Sequence, residues 1–184
     1  NKDAYANSIH TFAIGALTKT GVPAVYSEYG TNLIACAPAD IVITTDLLDD
    51  AGYNPTQDYT ALADSDYTDE FYGTSAACPV ASGVIALMLE ANPNLGWRDV
   101  KEILLRTGKK VSATDTEWVT RSGGRNGIAP IKHNPKYGGG MVDAAAATAM
   151  SAGWTNLGTQ SAHTLTINEN TAIPDNNATG IKKT

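Results

Sequence analysis

The chain has 184 residues, 42% of them hydrophobic, and a formal net charge of −6. That length and apolar content suit one compact domain with a sizeable core and exclude an intrinsically disordered segment. The acid excess argues against nucleic acid as the main partner and suits attraction of basic peptides.

In chain order, Ser8 to Ala16 carries Ile9, Phe12 and Ile14 and reads as a partly buried strand ended by the turn Thr18 to Gly21. Asn32 to Pro38 reads as a short buried strand stopped by proline. The β-branched run Ile41 to Thr45 is a third strand. Asp46 to Phe71 is acidic and poor in apolar residues, and reads as a surface loop with room for a short hairpin. A helix is expected from Ser75 to Ala91, apolar nearly all round and therefore central and packed on several sides. Pro79 falls in or just beyond its first turn, and Pro93 bars its continuation. The apolar run after Pro79 is too short to span a bilayer, which takes about 20 residues. A second helix, Trp97 to Thr107, places Val100, Ile103 and Leu104 on one face and stops at Gly108. Lys109 to Pro135 reads as irregular, and a third helix from Val142 to Met150 follows Tyr137-Gly-Gly-Gly140. Beyond Trp154 the composition shifts, and Ser161 to Thr184 reads as an edge strand with a loop. Strands alternating with helices predict an α/β fold, a sheet flanked by helices. The chain opens on Asn with no signal peptide visible, and is expected to be part of a longer one.

Cys36 and Cys78 both lie in apolar settings, so buried free thiols are expected, while a disulfide between them stays open. The acidic cluster Asp64, Asp66, Asp69 and Glu70 lacks the glycine and terminal glutamate of an EF-hand loop and reads as a solvated loop.

Ser75 carries the chemistry. It stands in Gly73-Thr74-Ser75-Ala76-Ala77-Cys78-Pro79, at the mouth of a helix and after a glycine turn. Unpaired N–H groups and the positive end of the helix dipole favour an oxyanion there, which suits a serine nucleophile. A plain Ser N-cap is the competing reading. A lipase-type elbow is a poor fit, because its pattern needs glycine where Ala77 stands.

The segment from Gly73 to Lys101, with its Glu-Ala-Asn-Pro-Asn-Leu turn and Trp-Arg-Asp-Val helix start, resembles the nucleophile segment of subtilisin-like serine proteases of the kexin/furin branch. The block Asp3-Ala-Tyr-Ala-Asn-Ser-Ile-His-Thr is similar to that branch's Asp-Gly-Tyr-Thr-Asn-Ser-Ile-Tyr-Thr, and its spacing to Glu28 is ungapped. The resemblance implies a subtilisin-like parallel sheet flanked by helices over residues 1–156. Residues 157–184 would be a linker and the start of a β-sandwich P domain. It implies a secreted endopeptidase that cleaves after basic residues, with Ser75 as nucleophile and Thr74 in the oxyanion hole. Asp3 would be the acid of the primary specificity pocket and Tyr5 would flank a neighbouring subsite. Glu28 would be a ligand of a structural calcium ion, which needs six to eight oxygens and so further acids upstream. The family's Asp, His and oxyanion Asn would also lie upstream. His10, His133 and His163 all fall in the wrong context for its base. An inactive pseudoprotease or binding module with the same fold is the alternative.

Overall fold

The computed structural model describes residues 3–54, 62–121 and 130–159. The readings of His163 and of Ser161 to Thr184 fall outside them. Two parallel strands form the centre: β1 (Ala13–Leu17) pairs with β2 (Leu33–Pro38), with a register shift between Ala13 and Ile14. Met141 extends β2 on its other side by an isolated parallel bridge to Cys36. Strand β3 (Val42–Thr45) pairs antiparallel with β4 (Tyr67–Phe71), and β5 (Val119–Arg121) with β6 (Ile131–His133). Three helices complete the order: α1 (Thr74–Ala91), α2 (Trp97–Thr107) and α3 (Ala144–Ala152).

The strand expected from Ser8 begins only at Ala13. Residues before it form turns, with Thr11 Oγ1 donating to the Ser8 carbonyl at 3.1 Å. The acidic stretch after Thr45 is more ordered than its composition predicts. Asp46 accepts backbone N–H groups from Leu47 and Asn54, and buried Asn54 donates to the carbonyls of Asp64 and Tyr67. This network of side chain to backbone bonds substitutes for apolar burial and seats β4 against β3. The segment expected to be irregular likewise contains β5 and β6.

Alternation places residues of β1 and β2 on two faces. Ala16 and Ala37 meet Ala76 and Ala77 in a cluster that also holds Ala24 and Ala39. These small side chains let the first turn of α1 lie close to the strands. Leu17 and Cys36 pack instead on Tyr137, which stacks on Trp118 at 5.6 Å. The largest cluster joins Val84 and Met88 of α1 to Val100, Ile103 and Leu104 of α2 and Ala147 of α3. Each fully buried leucine or isoleucine contributes about 1.5–3 kcal/mol here. The Gly138-Gly139 pair permits the close approach that links these layers. A Cβ on Gly138 would come within 2.7 Å of the Ala35 nitrogen, and one on Gly139 within 2.7 Å of the Leu105 Cα.

Helix α1 departs from expectation in its burial. Ala76, Ala77, Ala81, Val84 and Met88 are buried, but Leu87 and Leu89 are exposed, so one face rather than all is packed. Cys78 lies on the open face and is exposed, while Cys36 is buried; both thiols are free. Starting at Thr74, the helix has 18 residues at mean hydropathy 1.5, long and apolar enough by length and composition to cross a membrane. The apolar run that the sequence singled out begins only after Pro79, and the helix gains its length from the turn before it. Its packed face is that of a core helix, set on β1, β2 and α3.

The chain after α3 returns across the start of α2. Buried Asp99 accepts from Gly96 N, Trp154 Nε1 and Leu157 N at 2.7–2.9 Å. Arg98 donates to the Gly158 carbonyl, and Asn156 to the Asn94 carbonyl. Residues 154–158 thus form a strap over the N-terminus of α2.

Candidate active site

Ser75 is not an N-cap. The cap of α1 is Gly73, at φ 98° and ψ 176°, and Ser75 lies within the first turn. Almost only glycine adopts that backbone conformation. The cap has no side chain to accept from the helix start, and the Gly73 carbonyl takes the N–H groups of Ala76 and Ala77 at 2.9 and 3.2 Å. None of the described residues accepts from the N–H of Thr74 or Ser75. Both residues are exposed. A hydroxyl and two unspent backbone donors therefore stand together at the positive end of an 18-residue helix, the arrangement that stabilises a developing oxyanion. Pro79 lies beyond the first turn of α1 and lacks an N–H, so the Ser75 carbonyl receives no i→i−4 bond.

A cavity of about 460 Å³ opens beside this turn. Asp3, Tyr26, Glu28, Asn32 and Thr74 line it, with Ala13, Ile14 and Leu33 as its apolar wall. Residues far apart in the chain, Asp3, Glu28 and Thr74, thus share one recess. Asp3 is exposed and its Oδ1 accepts the Ala6 N–H at 2.9 Å, so it also closes a turn. Asn32 fixes that turn to β2 by donating to the Ala6 carbonyl at 2.9 Å. Tyr5 is exposed at 83%, neither a core aromatic nor part of the cavity wall. A second recess of about 450 Å³ is lined by Asp40, Ile41, Asp69, Glu70 and Tyr72, immediately before Gly73.

No histidine is brought to Ser75 among the described residues. The His10 ring lies edge-on to Trp97 at 5.1 Å, and His133 Nε2 bonds the Leu33 carbonyl at 3.2 Å. Glu28 lines the cavity together with Asp3, and no group of three or more His, Cys, Asp or Glu among the described residues could hold a metal ion. Asp64 and Asp66 are spent on backbone N–H groups, of Asp66 and Asp49 respectively.

Sequence reasoning missed Tyr26 and Asn32. Each acts through hydrogen bonds to backbone distant in sequence, and neither has a local pattern that would reveal it.

The subtilase-family profile (Peptidase_S8) matches residues 2–138. The chain is 35% identical over 167 residues to Furin-1 of Xenopus laevis, covering 91% of this chain and 19% of that protein. It is 38% identical over 144 residues to proprotein convertase subtilisin/kexin type 4 of Homo sapiens, covering 78% and 17%. The chain therefore spans less than a quarter of the length of these relatives. The crystal structure of the serine protease of Aeromonas sobria superposes with a TM-score of 0.67 at 29% identity, over 79% of this chain and 30% of that one. Fervidolysin from Fervidobacterium pennivorans, at 22% identity and a TM-score of 0.55, shares the fold.

Proposed function

The chain belongs to the subtilase family, and on that premise we propose that it is the nucleophile-bearing part of a kexin/furin-type serine endopeptidase that cleaves after basic residues. One observation supports this reading above the rest. Asp3, Glu28 and Thr74 line a single cavity beside an exposed Ser75 whose own N–H and that of Thr74 are unspent.

In this reading Ser75 Oγ attacks the scissile carbonyl. Its proton passes to a histidine that a longer protein supplies, itself oriented by a carboxylate. The oxyanion forms against the Ser75 N–H, with Thr74 beside it. An arginine side chain before the scissile bond enters the cavity toward Asp3, where a guanidinium and a carboxylate pair in a charge-assisted, bidentate fashion. Tyr5 would meet the substrate from outside the recess. The acids that line the recess with Tyr72, next in the chain to Gly73, add negative potential, which favours basic peptides further.

The proposal includes a structural calcium ion at Glu28, in company with carboxylates beyond those described. It also includes secretion of the protein, and, over residues 157–184, a linker and the start of a P domain.

The test is a fluorophosphonate probe applied to the longer protein that carries this chain. Phosphonylation at Ser75, absent in Ser75→Ala, is expected. Labelling at Ser82 instead would remove Ser75 from the chemistry.

A further inference from the structure

We propose that Tyr26 is a positioning residue for the nucleophile: its hydroxyl, held between the Ala39 carbonyl and the Gly73 N–H, sets the turn that presents Ser75. This rests on the reading of Ser75 as nucleophile and adds to it a residue that touches no reacting atom.

The Tyr26 hydroxyl donates to the Ala39 carbonyl at 3.3 Å and accepts the Gly73 N–H at 3.2 Å. Gly73 N also reaches the Ala39 carbonyl directly, at 3.1 Å. Three groups from three separate segments therefore close a triangle on the residue that precedes α1. That residue holds φ 98° and ψ 176°, a conformation that persists only where its surroundings dictate it. From the other side the turn is weakly held, since Pro79 withholds the helical bond from the Ser75 carbonyl. The triangle thus holds the N–H side of Gly73, while its carbonyl takes the Ala76 and Ala77 N–H groups of the helix.

Tyr26 is itself well seated. Ser27 N donates to the Ala24 carbonyl at 2.8 Å, and buried Ser27 Oγ accepts the Ala16 N–H at 3.0 Å, tying the loop to β1. The Tyr26 ring remains 45% exposed and lines the cavity with Asp3, Glu28 and Thr74. The hydroxyl is thus no support of the core. It joins the loop that carries Glu28 to the turn that carries Ser75, so pocket and nucleophile share one anchor.

The experiment uses the longer protein, with a fluorophosphonate and with a peptide amide carrying arginine before the scissile bond. Tyr26→Phe keeps the ring and removes the hydroxyl. It should lower kcat and the rate of Ser75 phosphonylation about fivefold, as expected for one neutral hydrogen bond. KM should stay at the wild-type value, and the chain should stay folded, its thermal midpoint lowered by no more than the loss of such a bond explains. Tyr26→Leu, which also removes cavity wall, should raise KM in addition. Wild-type labelling rates in Tyr26→Phe would overturn the positioning role, and so would loss of fold, which would assign the hydroxyl to stability alone. Failure of the wild-type protein to label at Ser75 would instead sink the nucleophile reading, and this proposal with it. The two failures are read from different arms.

Discussion

Gly73 shows how one residue's backbone fixes a site. Any side chain at φ 98° and ψ 176° is strained even though a Cβ there would meet only the Ser75 nitrogen, at 3.8 Å. Gly73→Ala should therefore cost about 1–3 kcal/mol and lower the thermal midpoint. An unchanged midpoint would show that the turn tolerates a Cβ. Asp3 is a cleaner probe of charge. Asp3→Asn keeps the Ala6 hydrogen bond and removes only the negative charge facing the cavity. In the longer protein it should reduce kcat/KM for arginine peptides about ten- to a hundredfold, the range for a hydrogen bond to a charged group. Peptides with apolar residues at that position should be affected much less; equal losses for both would assign Asp3 to the turn. The thiols make a third case. Burial pushes the Cys36 thiol up to about 12, its own backbone bond only partly offsetting this, whereas Cys78 is exposed. At pH 8 an aromatic disulfide reagent should titrate one thiol in the native chain and two after denaturation. Two fast-reacting native thiols would contradict the packing of Cys36 against Leu17 and Tyr137. Apolar neighbours alone suggest burial for both cysteines. Sequence does not say which side of a helix is covered, and that decides Cys78. Ser75, Thr74, Asp3 and Glu28 were singled out because each sits in a motif block. Tyr26 was not, since its partner Gly73 lies 47 residues away.

At the level of elements, the helices were read well and the strands after Thr45 poorly. Trp97 to Thr107 has a clear 3.6-residue apolar period and a glycine stop, and the helix forms over those residues. Tyr67 to Phe71 has an acidic centre and no alternation strong enough to signal a strand. It forms because Asn54 and Asp66 organise the loop beside it. Helix α2 carries its own titratable element in Asp99. Burial acts to raise its carboxyl, but the N–H groups of Leu157, Trp154 and Gly96, with Arg98 nearby, together hold it below the usual range. A depressed native value means stability that is present above the unfolded value of about 3.9 and is lost as pH falls through the native one. Asp99→Asn should thus destabilise the chain by about 1–3 kcal/mol at pH 7, with the difference shrinking in acid. Urea unfolding at neutral and acid pH measures it. A gap that persists unchanged at pH 2 would mean that shape, and not charge, is what Asp99 contributes.

For the molecule as a whole, the proposed reading gives Ser75 the nucleophile's role, and no described residue brings it a base. A serine hydroxyl unassisted by a base is a poor nucleophile at neutral pH. The 184-residue chain on its own is therefore expected not to hydrolyse arginine peptides; turnover that disappears in Ser75→Ala would refute this. The strap of residues 154–158 has a consequence for synthesis. Its bonds to Asn94, Arg98 and Asp99 span 55 to 62 residues of chain. A nascent chain emerges N-terminus first, so α1 and α2 leave the ribosome well before the residues that complete the Asp99 shell. Until Trp154 and Leu157 arrive, a buried carboxylate at the start of α2 lacks two of its donors. Closing a loop of that length is entropically slow and gives no return until both ends meet. A ribosome stalled before residue 154 is therefore expected to hold a chain that a protease cleaves more readily than the finished one, and limited proteolysis of stalled chains measures it.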